Sequence, residues 1–168
     1  MLKSLFLLSL PALTLQAQNL PVPPEIVGVW SSSEVRSIMF SDRTSTAFSR
    51  PSGGTIKYQI NPDGTYRDDT LIQTSMYNCT DSVFAEETGA VRVEGSKIIF
   101  DATGGTLRST DNCNARFNYV KQLPQRERVM TEWLVRNGPS GPELCMSDGK
   151  HPLCYRRAER TGNTNAQK

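Results

Sequence analysis

The chain of 168 residues carries few side chains capable of covalent chemistry, and their spacing limits what they can do. It has one histidine, His151, which excludes a multi-histidine metal site and leaves Ser-His-Asp catalysis a single candidate base. That residue closes Asp148-Gly149-Lys150-His151, a turn signal that places it in solvent rather than beside a nucleophile. The patterns G-x-S-x-G, G-x-G-x-x-G and the P-loop are absent. Asp68-Asp69 and Glu86-Glu87 put carboxylates side by side, but neighbours on a strand point to opposite faces, so neither pair can share a proton. Hydrolysis would need carboxylates from separate strands. No catalytic residue, metal or cofactor is assigned.

The four cysteines, at 79, 113, 145 and 154, lack the close C-x-x-C knuckles of a zinc site. An even number suggests two disulfides and, with them, an oxidising compartment. The first seventeen residues, MLKSLFLLSLPALTLQA, read the same way: Lys3, an apolar run from Leu5 to Leu10 and a small Ala17 make a secretory signal segment. Its run is too short, and too soon interrupted by Pro11, for a membrane-spanning helix. The expectation is a secreted or periplasmic protein with no transmembrane segment.

The elements that must position these residues are strands. Helical periodicity is nearly absent, while alternation and turn signals recur about every ten residues. Thr55 to Ile60 alternates cleanly, and Asn61-Pro62-Asp63-Gly64 is a type I turn that pairs Ile60 with Tyr66, Tyr58 with Asp68 and Ile56 with Thr70. Gly95-Ser96 is a two-residue type II′ turn, setting Val93 against Ile98 and Val91 against Phe100. A third hairpin, from Glu143, sets Leu144 against Tyr155, Met146 against Leu153 and Cys145 against Cys154. Cys145–Cys154 is then one bridge and Cys79–Cys113 the other.

Asp81 to Glu87, Gly105 to Ser109, Ala115 to Lys121 and Gln125 to Arg136 are further strands, with Ile26 to Ser32 the first. Arg126-Glu127-Arg128 reads as a solvated face. Residues 18–24 are an extended lead-in, 25–157 the folded domain and 158–168 a polar, frayed tail. The fold class is all-β: a single antiparallel up-and-down β-barrel of about eight strands, closed to remove its edges, with a β-sandwich as the alternative. Nineteen basic against seventeen acidic residues and a mean hydropathy of −0.44 describe one ordinary domain, too balanced in charge to argue for nucleic acid or an anionic membrane surface.

Gly28-Val29-Trp30, after an irregular lead-in and before an antiparallel meander, resembles the opening of calycin barrels: lipocalins and their bacterial lipocalin-like relatives. The stretch from Asp111-Asn112-Cys113-Asn114 to Asn118-Tyr119-Val120-Lys121 is similar to small exported members of that group. The resemblance implies a barrel with a binding cavity, closed at its narrow end by Gly28, Trp30 and an arginine stacked on the indole, either Arg156 or Arg157. The lipocalin Thr-Asp-Tyr signature is missing, since Thr110-Asp111-Asn112 stands there, and no ligand is implied.

A binding module for a small, partly apolar or amphiphilic ligand is the leading function. The first hairpin puts Asp68 on the inner face with Ile56, Tyr58, Ile60 and Tyr66. Either the strand bulges at Arg67 and frees Asp68, or Asp68, Tyr58 and Tyr66 form the polar end of a ligand site. Trp133, alternating with Thr131 and Val135, lines or plugs the interior. The alternative is a ligand-free envelope interaction protein or proteinase inhibitor presenting a protruding loop, Ser41 to Gly54 or Asn137 to Pro142. A hydrolase is third.

Overall fold

A computed structural model describes residues 22–37, 40–41, 48–49 and 51–158. The expected signal segment, lead-in residues 18–21, the tail beyond residue 158 and most of the loop from Ser41 lie outside the described residues.

Ten strands form one antiparallel sheet: β1 (Gly28–Ser37), β4 (Ser52–Ile60), β5 (Thr65–Met76), β6 (Cys79–Glu94), β7 (Lys97–Asp111), β8 (Tyr119–Leu123), β9 (Arg126–Met130), β10 (Glu132–Gly138), β11 (Gly141–Ser147) and β12 (Pro152–Arg157). Two short strands, β2 (Phe40–Ser41) and β3 (Phe48–Ser49), make a separate ribbon. The order is β10-β11-β12-β1-β4-β5-β6-β7-β8, with β9 also pairing β7. The all-β antiparallel class therefore holds, but the sheet is not closed. Its pairing is a path from β10 to β8 and β9, not a ring, and it does not divide into the two packed layers of a sandwich.

Turn chemistry set the three expected registers, and all three are present. Asn61 N–H donates to Thr65 O at 2.9 Å and Gly64 N–H to Asn61 O at 3.1 Å, with Gly64 at φ +81°, and Tyr58 stands opposite Asp68. Gly95 takes φ +60°, as the first position of a type II′ turn requires, and Val91 faces Phe100. Cys145 faces Cys154, and both bridges, Cys145–Cys154 and Cys79–Cys113, are formed. Ile26, Trp30, Tyr58, Ile60, Tyr66, Val91, Ile98, Phe100, Leu144, Met146 and Tyr155 belong to one buried cluster. A single sheet that buries one face into one core must curl around it.

Four expected strands came out differently. Gly105 to Ser109 is not separate but the far part of β7. Asp81 to Glu87 and Val91 to Glu94 are parts of one strand, because Gly89 absorbs a bulge instead of ending it. A Cβ there would lie 2.0 Å from Asp101 O, so only glycine lets β7 pass. Ala115 to Lys121 splits into a single 3-10 turn, Ala115–Phe117, and β8. Gln125 to Arg136 breaks at Thr131, where the chain changes partner. Before it β9 pairs β7, and after it β10 pairs β11, while Thr131 N–H donates to Ser147 O at 2.8 Å. This one-residue corner carries the chain between the two ends of the sheet.

Beyond the core, β5, β6, β7 and β8 continue as an arm. Its end is tied by Cys79–Cys113, across a sequence separation of 34.

Candidate functional site

The inner face of β5 leaves the core at Asp68. The strand is regular there, so the expected bulge at Arg67 is absent, and Asp68 is only 5% exposed. It does not stand alone with tyrosines. Its cross-strand partner on β6 is Glu87, 2% exposed, so two carboxylates on adjacent strands point the same way. Burying such a pair is costly unless cations accompany it. β9 supplies them. Phe100 pairs with Arg128 and Ala102 with Arg126, which puts both arginines on the inner face and Glu127 outside. Arg128, with its side chain 23% exposed, is therefore not part of a solvated face, whereas Arg126 reaches Glu87 from a half-exposed position.

Arg128 is the centre of the cluster. Its Nη2 donates to Asp68 Oδ2 at 2.8 Å and lies 3.3 Å from Glu87 Oε2, while Nη1 donates to Tyr58 Oη at 3.0 Å. Its guanidinium also lies over the rings of Tyr58 and Phe100, 5.8 and 5.6 Å from their centroids. Arg126 Nε lies 2.6 Å from Glu87 Oε1, and Thr70 Oγ1 donates to Asp68 Oδ1 at 3.2 Å. Behind them Tyr58 packs on Phe100 and Tyr155, and Tyr66 on Phe100, with centroids 4.9–5.2 Å apart.

Electrostatics follow from burial. Desolvation pushes the Asp68 carboxyl up, against the pull of Arg128 beside it. Desolvation and the neighbouring Asp68 charge keep the Tyr58 phenol neutral far above the ordinary range. Tyr66 and Tyr155 are raised by burial as well. Burial opposes the Arg128 charge, but Tyr58, Asp68 and Glu87 outweigh it and the guanidinium stays protonated. With each carboxylate facing a guanidinium, the cluster is arranged to bind charge and polar groups rather than to relay a proton. Two groups of the cluster are left over: Tyr66 Oη and Arg128 Nε are buried without a hydrogen bond among the described residues, whereas both Glu87 oxygens are held in ion pairs by Arg126 and Arg128.

No family model, curated protein or solved structure matches the chain.

The other expected site residues lie elsewhere. Trp133 packs against the core at its edge, and its indole N–H donates at 3.2 Å to the O of Gly95, in the turn just past the end of β6 and eight residues on from Glu87. It does not join Asp68. Trp30 is fully buried, donating to Ile26 O at 2.7 Å, and the arginine on it is Arg157, with 4.6 Å from guanidinium to ring centroid. Arg157 Nη2 also donates to Glu25 O and Val27 O, and Gly28 brings the backbone against its guanidinium. Arg156 points the other way, toward the Glu143 carboxylate that Arg136 holds. His151 is exposed, and Asn137 to Pro142 is a tight turn, not a protruding loop. A cavity of about 610 Å³ opens outside the core between Gly28, Asn61-Pro62, Ser140 and Arg157, away from Asp68.

Proposed function

We propose that the protein is an exported binding barrel of lipocalin-like type that takes a small amphiphilic molecule at the end of its core marked by Asp68, Glu87, Arg126 and Arg128. The single observation that carries this reading is the pair of buried polar atoms without a hydrogen bond, Tyr66 Oη and Arg128 Nε, placed where the packed core gives way to the exposed inner face of the arm. A head group that accepts from Arg128 Nε and exchanges a hydrogen bond with Tyr66 Oη satisfies them. Its apolar part then lies along Ile72, Val83 and Leu107, which alternation puts on the same face.

Barrel character is supported by the single core and by the Thr131 corner that links the sheet's ends. The lipocalin likeness is supported by Arg157 stacked on the Trp30 of Gly28-Val29-Trp30. Export is consistent with two disulfides.

Native mass spectrometry of the protein from its own source tests the reading. It expects a co-purifying small molecule and, in titration with an anilinonaphthalene sulfonate probe, saturable binding that Tyr66→Phe and Arg126→Gln weaken. A bare chain mass together with no saturable binding overturns it.

A further inference from the structure

At the far end of the arm the asparagine and aspartate side chains fold back onto the backbone, as they do at the Asp63 and Asp148 turns. Asp111 Oδ1 accepts from Cys113 N–H and Asn114 N–H, Asn112 Oδ1 accepts from Thr80 N–H while its Nδ2 donates to Asn78 O, Asn118 Oδ1 accepts from Asp111 N–H, and Asn114 Oδ1 accepts from Arg116 N–H. The Cys79–Cys113 bridge ties the two segments together. The large apolar side chains are exposed: Tyr77 is 77% exposed, Met76 67%, Phe117 54% and Tyr119 49%.

Tyr77 carries the sharpest signal. It is the first residue of the two-residue turn between Met76 and Cys79, and its φ is +53°. In the two-residue turn between Glu94 and Lys97 the same position is Gly95, at φ +60°, and among the described residues Tyr77 is the one non-glycine with positive φ. A side chain with a Cβ is disfavoured in that conformation, and a tyrosine exposed to water gains little packing in exchange. Folding alone favours glycine there.

We propose that this tip is a docking element that inserts shallowly into the interfacial layer of a phospholipid bilayer. Three observations select lipid. The exposed apolar residues at the tip are two tyrosines, a phenylalanine and a methionine, and tyrosine with its apolar ring and polar end suits the membrane–water boundary. The backbone groups at the tip are hydrogen-bonded by its own asparagine and aspartate side chains, which is the condition for entering a medium that offers no partners. Charge at the tip is mixed, with Arg116 in the 3-10 turn and Asp81 opposite Asp111, so attachment rests on apolar insertion rather than on attraction to anionic headgroups. The inner face of the arm, with Ile72 and Tyr119, runs from this tip back toward Glu87 and gives an amphiphile a path between bilayer and core.

The test is co-sedimentation of the full chain with vesicles of phosphatidylcholine alone and of phosphatidylcholine mixed with phosphatidylglycerol. Binding to both is expected, with little effect of salt. Tyr77→Gly weakens it by roughly tenfold, the scale of one partly buried aromatic side chain, while the melting temperature is unchanged or higher. Phe117→Ser weakens it similarly, and Tyr77→Trp keeps it and shows a blue-shifted emission on vesicles. Failure to bind phosphatidylcholine, binding untouched by Tyr77→Gly and Phe117→Ser, or binding only to anionic vesicles and lost in salt overturns the proposal. A tip that instead bound a protein partner would give the first of these results. Ligand binding at Tyr66 is measured separately in detergent-free solution, so either reading can fail without the other.

Discussion

Arg128→Met removes the cation on which the buried cluster turns, while keeping an unbranched stem out to about the position of Nε. The guanidinium is matched by Asp68 at 2.8 Å and Glu87 at 3.3 Å, whose side chains are only 7% and 3% exposed, and it hydrogen-bonds Tyr58. Arg126 still reaches Glu87, so one carboxylate keeps a partner and Asp68 is left with Thr70 alone. Removing one member of a buried ion pair costs about 3–5 kcal/mol at neutral pH, because the remaining charge is desolvated and uncompensated. For a domain of this size that lowers Tm by roughly 10–20 °C.

The pH dependence distinguishes this cause from lost packing. Desolvation already holds the Asp68 pKa above its ordinary value, and Arg128 is the main group pulling it down. Without Arg128 it rises further. A raised folded-state pKa means that stability is regained as pH falls through that value toward the unfolded one, so the penalty of Arg128→Met shrinks between neutral pH and about pH 4. Urea unfolding followed by Trp30 and Trp133 fluorescence, at several pH values across that range, reads it. A penalty below about 1 kcal/mol at pH 7, or one of the same size at both ends, refutes the assignment of Arg128 as the charge that Asp68 requires.

Asp68→Asn follows the same linkage with the opposite outcome. The wild-type group supplies stability below its unfolded pKa and loses it as pH rises through the folded one, so the substitution leaves stability at pH 7 equal or higher and flattens the acid side of the profile, as urea unfolding checks. Gly89→Ala drives a methyl group to 2.0 Å from Asp101 O and is expected to cost about 2–3 kcal/mol by chemical denaturation. Serine at both Cys79 and Cys113 opens a loop with a sequence separation of 34, worth about 4 kcal/mol in the chain-entropy estimate, and hydrogen exchange should show the lost protection in the arm rather than in the core.

Each hairpin register was legible because a turn settles it locally. Asn61 to Gly64 and Gly95-Ser96 allow one pairing each, and every side chain's face then follows by alternation. Cys145 opposite Cys154 is the same inference with a bond at the end of it. The misses share a different origin. Gly89 looks like a strand end in sequence because nothing local says that β7 must pass so close that a Cβ there would meet Asp101 O. Thr131 looks like the middle of a strand because its change of partner is a property of β7 and β11, far away in the chain.

The buried charges are the instructive case, because half of the argument was visible. Asp68 on a face with Tyr58, Tyr66 and Ile60 already demanded compensation, and a phenol cannot supply a charge. The cation had to come from an inward position on some strand, and Arg126-Glu127-Arg128 offers two basic residues spaced by two with an acid between. That is the alternation of a strand with its polarity reversed: arginines inward, Glu127 and the exposed Val129 outward. Hydrophobic patterning scans for apolar inward positions and reads such a segment as surface. Scanning instead for a charge at period two, of sign opposite to one already placed inside, would have selected Arg128. The remaining ambiguity between β9 and any other basic strand is resolved only by the pairing of Phe100 with Arg128, and that contact is set by tertiary structure.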